Sequence, residues 1–505
     1  MSFVKRLVTA GLFAVTLIAL PQVATAADAS KSVTIALETN PDYLDGCSIS
    51  SSQVGIVLRQ NVIETLTVLD PKTGLPQPKL ATSWDRVDDH TWRFHLREGV
   101  KFHDGEDFNA QAVATILTRH FNPNLACLDR TKIANVKMTT KVVDDHTIDI
   151  TTDPVQVLLP VLFNMVGMFA PNTDNTQLSR SPIGTGPYAF KTWDADGNIT
   201  LQRFDGYWGD KPAVETATYV VRPDSAVRTA MVKTGEADIA QDIAAQDATD
   251  PTMDVSFFNT NTTQVRIVYT APPLNDIRVR KALNLAFDRN SLIGTILPSG
   301  VVPATHLYLP NINGYNPDLK PWPYDPDQAK KLLADAKADG VPVDTPLRLI
   351  GRIGFYANQE ELLQALAQMW NDVGFNIKVE MMEKSQWLAL VNRPYPPVRE
   401  PMLISEMHDN GNGDASFTMP FKYHTGGQQS DTSDPKLDKL LDDAAAATGP
   451  DRTKLYQEAD KMVAEDIVPS VFEYYMVSFM RIGPRINFTP LASNAELDLA
   501  GITFK

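Results

Sequence analysis

Cysteine is nearly absent: Cys47 and Cys127 are the only two in 505 residues. That excludes a small disulfide-dense scaffold, and no Cys/His spacing resembles a structural zinc site. In an exported chain the pair is expected to oxidise to one bridge, closing a loop of about eighty residues worth about 4–5 kcal/mol in the chain-entropy model. Two separate buried thiols are the alternative reading. Long apolar runs are equally scarce. Leu7 to Leu20 falls short of the roughly 20 residues a membrane helix needs, and no second long run follows. Lys5-Arg6 stands before that run, and Ala24-Thr25-Ala26 behind it supplies small residues at a cleavage site. Residues 1–26 therefore read as a cleaved signal peptide, with no retained anchor. The mature chain is expected in the periplasm of a bacterium with two membranes.

Catalytic motifs are missing as well. There is no Gly-x-Ser-x-Gly elbow, no His-Glu-x-x-His pair and no phosphate loop, and the acids show no spacing that singles out a pair. Gly184-Thr185-Gly186-Pro187 lacks the third glycine and the helix of a dinucleotide site. Asp194 and Asp196 lie in a stretch with Ile199 where a calcium loop needs glycine and Asp205 where it needs glutamate. The chain thus reads as a non-enzyme with no metal or cofactor. Basic charge is also short: 46 Lys and Arg face 61 Asp and Glu, a net of −15 that becomes −17 once Lys5 and Arg6 leave with the signal peptide. Nucleic acid and anionic membrane surfaces are poor partners for such a chain.

What is present is regular, folded sequence for about three packed units. In Ala81 to Ala110, Trp92, Phe94 and Leu96 alternate with Arg93, His95 and Arg97, the mark of a half-buried strand. Asp104-Gly105 closes a turn, and Asn109 stands to cap a helix over 110–121. Residues 33–37 read as a first buried strand, 54–69 as a helix, and 142–151 as further strand. A second block runs from Ser181 through Pro187-Tyr188 to Tyr207-Trp208. Gln264 to Thr270 alternates as a strand, and a third block runs from Asp276 to Arg289. Asp325-Pro326 and Asp434-Pro435 open helices with a capping carboxylate and a first-turn proline. Leu362, Leu366, Met369, Trp370 and Val373 line one helical face ended by Gly374, before a strand at 376–381. Val468 to Tyr475 returns to strand. Helix and strand alternate in this second half, so an α/β domain with a mixed sheet is expected.

These blocks, in this wording, resemble the bacterial extracellular solute-binding proteins of family 5, which carry peptides, opines, nickel complexes or oligosaccharides to ATP-driven importers. The resemblance implies an α/β, two-lobed periplasmic binding protein of the cluster C type. Each lobe then holds a mixed sheet, the first lobe carries an extra subdomain at about 55–180, and two crossovers form the hinge. Lobe I would comprise 27–264 and 480–505, lobe II 265–479, with crossings at Gln264 to Thr270 and Tyr474 to Met480. It implies a monomer whose partners are a small-molecule or short-peptide ligand and the membrane permease of an ABC importer. A peptide is the first ligand class, with an opine or a (phospho)oligosaccharide as the alternative, and a periplasmic chaperone or chemoreceptor adaptor as a different use of the same fold.

In peptide-binding members an aspartate in a Gly-Asp-Asn-Gly-Asp-Pro segment meets the ligand ammonium. The corresponding stretch here is His408 to Phe417. Aligning on Asn412-Gly413-Asp414 puts Gly411 at the aspartate's place, and a shift of one or two positions offers Asp409. Asn410 and Asn412 add amides suited to a polar ligand. Arg352 is a candidate fork for a ligand carboxylate, with a surface ion pair as its alternative role. Trp387 and Tyr423 could cover a ligand's apolar face or simply fill the core. His408 could contact a ligand oxygen or serve as a structural histidine.

Overall fold

The computed structural model describes residues 29–132, 136–396, 399–411, 413–493 and 496–505. The signal segment read at 1–26 and the site candidate Asn412 lie outside the described residues. Two long antiparallel strands, Asp254–Val268 and Ser470–Ile482, run through the middle of an eleven-stranded sheet and organise the molecule. Their register shifts between Phe258, which faces Val477, and Gln264, which faces Phe472. On one side of that break the sheet continues through Ile239–Ile243, Ser32–Leu37, Thr216–Val221, Ile199–Arg203 and Tyr188–Trp193. On the other side it continues through Met402–Asp409, Leu347–Arg352 and Ile377–Met382. Parallel pairs occur in both halves, Ser32–Leu37 with Thr216–Val221 in the first and Leu347–Arg352 with Ile377–Met382 in the second. Antiparallel pairs surround them, so both halves are mixed α/β, as expected of the two-lobed fold.

Each half closes over its own apolar core. In the second, Leu362, Leu366 and Trp370 of the helix Gln359–Asp372 are fully buried against Val265 and Tyr474 of the long strands. Gly374 takes φ 114 just past that helix, a conformation only glycine adopts without strain. The proline-opened helices form as read: Asp325 accepts from the Gln328 N–H at 2.9 Å, and Asp434 from those of Lys436 and Leu437 at 2.9 and 3.1 Å. In the first half a separate antiparallel sheet runs in the order Ala81–Arg86, Thr91–Leu96, Thr147–Asp153, Lys137–Asp144. Trp92, Phe94 and Leu96 are buried there, while Arg93 turns outward to fork Asp149 at 2.7 and 2.9 Å. Asn109 caps the helix Ala110–His120 through the Ala112 N–H at 2.9 Å.

Two readings of local structure are corrected. The helix expected over 54–69 is only Ser52–Leu58, followed by the short strands Glu64–Thr65 and Thr67–Leu69. Gln60 takes φ 59, and the Asn61 and Val62 carbonyls accept from the Tyr188 and Gly186 N–H groups at 2.9 and 3.1 Å. These tertiary hydrogen bonds outcompete continuation of the helix despite its apolar pattern. The strand expected from Gln264 begins ten residues earlier, at Asp254, because Asp254 to Thr262 pair with the long neighbouring strand. Cys47 and Cys127 are bonded, with Cα atoms 5.2 Å apart. Beside them the buried Asp129 carboxylate accepts from the Ile49 and Ser50 N–H groups at 3.0 and 2.9 Å, fixing the segment that leads into the helix Ser52–Leu58.

Candidate functional site

A cavity of about 590 Å³ lies where the two halves meet. Three segments line it. The first half supplies Arg59, Gln60, Asp70 and Lys79; the second supplies Asn311, Asp409 and Asn410; the C-terminal segment supplies Glu496 and Asp498.

The wall from the second half is fixed by a chain of directional bonds. Asp409 ends the strand Met402–Asp409 opposite Asn261, and its carboxylate accepts from the Thr260 hydroxyl at 2.6 Å, at the register break of the long strands. The carboxylate is exposed to the cavity. Asn410 is buried and donates to the Thr418 hydroxyl at 2.7 Å. That hydroxyl lies 2.8 Å from His408 Nε2 and so has its proton free to donate there, holding the imidazole neutral. Burial, with Lys422 nearby adding to it, pushes the His408 pKa down to about 3. Farther along, Asp414 accepts from Arg452 at 2.8 and 3.1 Å and from Asn313 at 2.9 Å, so the loop is bolted to the helix Gly449–Lys461 and to the segment at Asn313 behind it.

The first half reaches the same cavity through the turn at Asp70, whose carboxylate is held below its ordinary pKa by the Lys72 and Thr73 N–H groups. Gly74 closes that turn at φ 68 and is pressed against the second half. A Cβ there would stand 2.5 Å from the Asn311 carbonyl oxygen and 2.7 Å from that of Gly413. The two cations of the wall are both spoken for. Arg59 Nε lies 3.2 Å from Glu496 Oε2, and its Nη2 donates to Asn164 at 2.6 Å. Lys79 Nζ lies 3.1 Å from Glu64, a fully buried carboxylate that also accepts from Thr185, Tyr207 and Trp208. Burial raises the Glu496 pKa, Arg59 opposes the rise, and Asp498 adds to it.

Of the residues singled out in the sequence, the structure brings Asp409 and Asn410 to this cavity. Arg352, at the end of Leu347–Arg352, lies elsewhere in the second half, its guanidinium 3.7 Å over Phe355 and 5.5 Å from Trp387. Trp387 is buried and donates to the Ser405 carbonyl at 3.2 Å. Tyr423 is buried in an apolar core with Tyr308 and Met419. His408 is buried behind Asp409. Arg59, Lys79, Glu496 and Asp498 carried no sequence signal: the Arg59–Glu496 ion pair joins residues over 400 positions apart, and no local motif marks Lys79 or Asp498. Asp70 was not singled out either, although the turn Asp70-Pro71-Lys72-Thr73-Gly74 is the kind of local signal that could have found it, since turns on a scaffold commonly carry binding groups.

Two α/β halves sharing a pair of long strands, with a polar cavity at their junction, define a two-lobed binding protein of the kind that closes about a ligand. Residues 76–430 match the model of the bacterial extracellular solute-binding proteins, family 5, and the chain belongs to that family. A probable di/tripeptide-binding protein of Pseudomonas aeruginosa (strain UCBPP-PA14) is 27% identical over 473 residues, covering 86% of this chain and 89% of its own. The glutathione-binding protein of Escherichia coli (strain K12) is 30% identical over 386 residues, 74% of each chain. Among solved structures, the unliganded open form of a periplasmic murein tripeptide-binding protein superposes with a TM-score of 0.83 at 20% identity, covering 94% of this chain and 97% of that one.

Proposed function

We propose that the protein is a periplasmic receptor that captures di- and tripeptides in the interlobe cavity and delivers them to the permease of an ABC importer. The observation that carries this reading is the Asp409 carboxylate, set at the hinge by Thr260 and open to the cavity, where a peptide's terminal ammonium would find its counter-charge. The similarity to di/tripeptide- and glutathione-binding relatives supports the same ligand class. The cavity volume falls within the range of about 300–1,000 Å³ that small ligands occupy. Asn410 is kept as a wall residue, while Arg352, Trp387, His408 and Tyr423 serve the packing of the second lobe, and Asn412 stays a candidate by its place in the loop. The register break of the two long strands supports a lobe division with crossings near 259–263 and 473–476. Residues 1–26 serve as the export signal, and the mature protein acts as a monomer without catalysis. Native mass spectrometry of the protein from an osmotic-shock fraction tests this reading. A bound mass matching a di- or tripeptide is expected, and a sugar or opine in its place would overturn it.

A further inference from the structure

The charge balance of the cavity says which peptides fit. Four carboxylates, Asp70, Asp409, Glu496 and Asp498, face two cations, Arg59 and Lys79. Arg59 is matched by Glu496, and Lys79 by Glu64 behind the wall. Asp70, Asp409 and Asp498 have no ion-pair partner among the described residues, and each comes from a different wall. A neutral acceptor joins them. Gln60 Oε1 is buried without a hydrogen-bond partner. Its amide orientation is fixed, because Gln60 Nε2 donates at 2.8 Å to a Thr65 hydroxyl whose own proton is spent on the Thr67 carbonyl at 2.6 Å.

A zwitterionic peptide brings one ammonium, which Asp409 satisfies, and leaves Asp70 and Asp498, hydrogen-bonded within their own turns, without a counter-charge and the Gln60 oxygen without a donor. Lysine and arginine side chains are donors only, and they bring the missing positive charge to a site partly screened from solvent, where it counts for more than in water. A ligand carboxylate in the same place adds repulsion and finds no free cation among the described residues of the wall.

We infer that the receptor selects cationic di- and tripeptides, those bearing a lysine or arginine side chain, over neutral and acidic ones. The inference rests on the peptide reading above and assigns Asp70 and Asp498 to the ligand's basic side chain. Calorimetry of the mature protein with Ala-Lys-Ala, Ala-Ala-Ala and Ala-Glu-Ala, at low and high salt, tests it. Ala-Lys-Ala is expected to bind at least tenfold tighter than Ala-Ala-Ala, with Ala-Glu-Ala weakest and the spread narrowing as salt rises. In Asp70→Asn and Asp498→Asn, each checked for an unchanged melting transition, the Lys-to-Ala ratio should shrink several-fold. Equal affinities for all three peptides, or Ala-Glu-Ala binding tightest, would overturn the cationic preference and leave the peptide reading standing. Failure of all three to bind would overturn both.

Discussion

Gly74 offers the sharpest probe of how the two lobes meet. Replacing it with alanine does two separable things. The residue sits at φ 68, where a side chain costs about 1–2 kcal/mol irrespective of the other lobe. The new Cβ would also stand 2.5 Å from the Asn311 oxygen and 2.7 Å from the Gly413 oxygen, both backbone atoms that cannot rotate away. Gly413 itself has φ 78 and Leu69 only 2.3 Å from where its Cβ would be, so the facing loop has no room to retreat around it. Restoring contact distance requires the lobes to part by roughly 0.5–1 Å, which sacrifices dispersion along the whole rim. The conformational cost lowers stability, whereas the steric cost falls on the arrangement in which the lobes touch and therefore on ligand binding. Gly235→Ala is the control: φ there is 82, yet nothing lies within 4 Å of the added carbon. Both variants should lose about 1–2 kcal/mol in urea unfolding. Only Gly74→Ala should bind a tripeptide at least tenfold more weakly, about 1.4 kcal/mol, and show a larger radius of gyration in solution scattering. If Gly74→Ala matches the parent in affinity while sharing the stability loss of Gly235→Ala, the contact at the rim has no part in binding.

Other consequences are simpler to state. Converting Cys47 and Cys127 to serine opens a loop spanned by a sequence separation of 80 and should cost about 4–5 kcal/mol, read from urea unfolding; a loss under 1 kcal/mol would refute the chain-entropy reading. Glu473 is fully enclosed on the hinge-forming strand, and burial raises its pKa from 4.5 to about 8 against the pull of Thr263 and Arg289. A raised carboxyl pKa means stability that is complete below about pH 4.5 and lost as pH climbs through 8, on the order of 3–5 kcal/mol in all. Glu473→Gln should flatten this alkaline limb in thermal unfolding between pH 6 and 9, and an unaltered slope would show that the carboxyl is not held neutral. His408 works in the opposite sense: its depressed pKa gives stability present above about pH 6.5 and lost on acidification. His408→Gln should weaken that acid limb in unfolding curves from pH 7 to 4.

Sequence pattern exposed those parts of the fold that local physics decides. Trp92, Phe94 and Leu96 alternate because one face of their strand is buried, and Asn109, Asp325 and Asp434 mark helix starts because a carboxylate or amide satisfies the first free N–H groups. Pattern failed where long-range bonds decide. Val54 to Leu69 is apolar enough for a helix, yet the loop at Gly184 to Tyr188 claims its carbonyls. In Asp254 to Thr263 the alternation of Asp254 to Phe257 gives way to the polar run Asn259 to Thr263, which extends the strand only because Ser470–Ile482 and Met402–Asp409 lie beside it. The site followed the same rule. Asp409 and Asn410 were legible from a loop motif, whereas Arg59, Lys79, Glu496 and Asp498 belong to the cavity only because folding brings the C-terminal segment back across the first lobe.

The most direct measurement is calorimetric titration of a tripeptide into the mature protein and into Asp409→Asn. One-to-one binding with a negative heat-capacity change is expected for the parent, as apolar surface leaves water on closure. The variant, which keeps the hydrogen bond to Thr260 but not the counter-charge for the ammonium, should bind at least tenfold more weakly. Parent and variant binding equally well would contradict the placement of the peptide at this carboxylate, and no heat with either would contradict peptide capture itself.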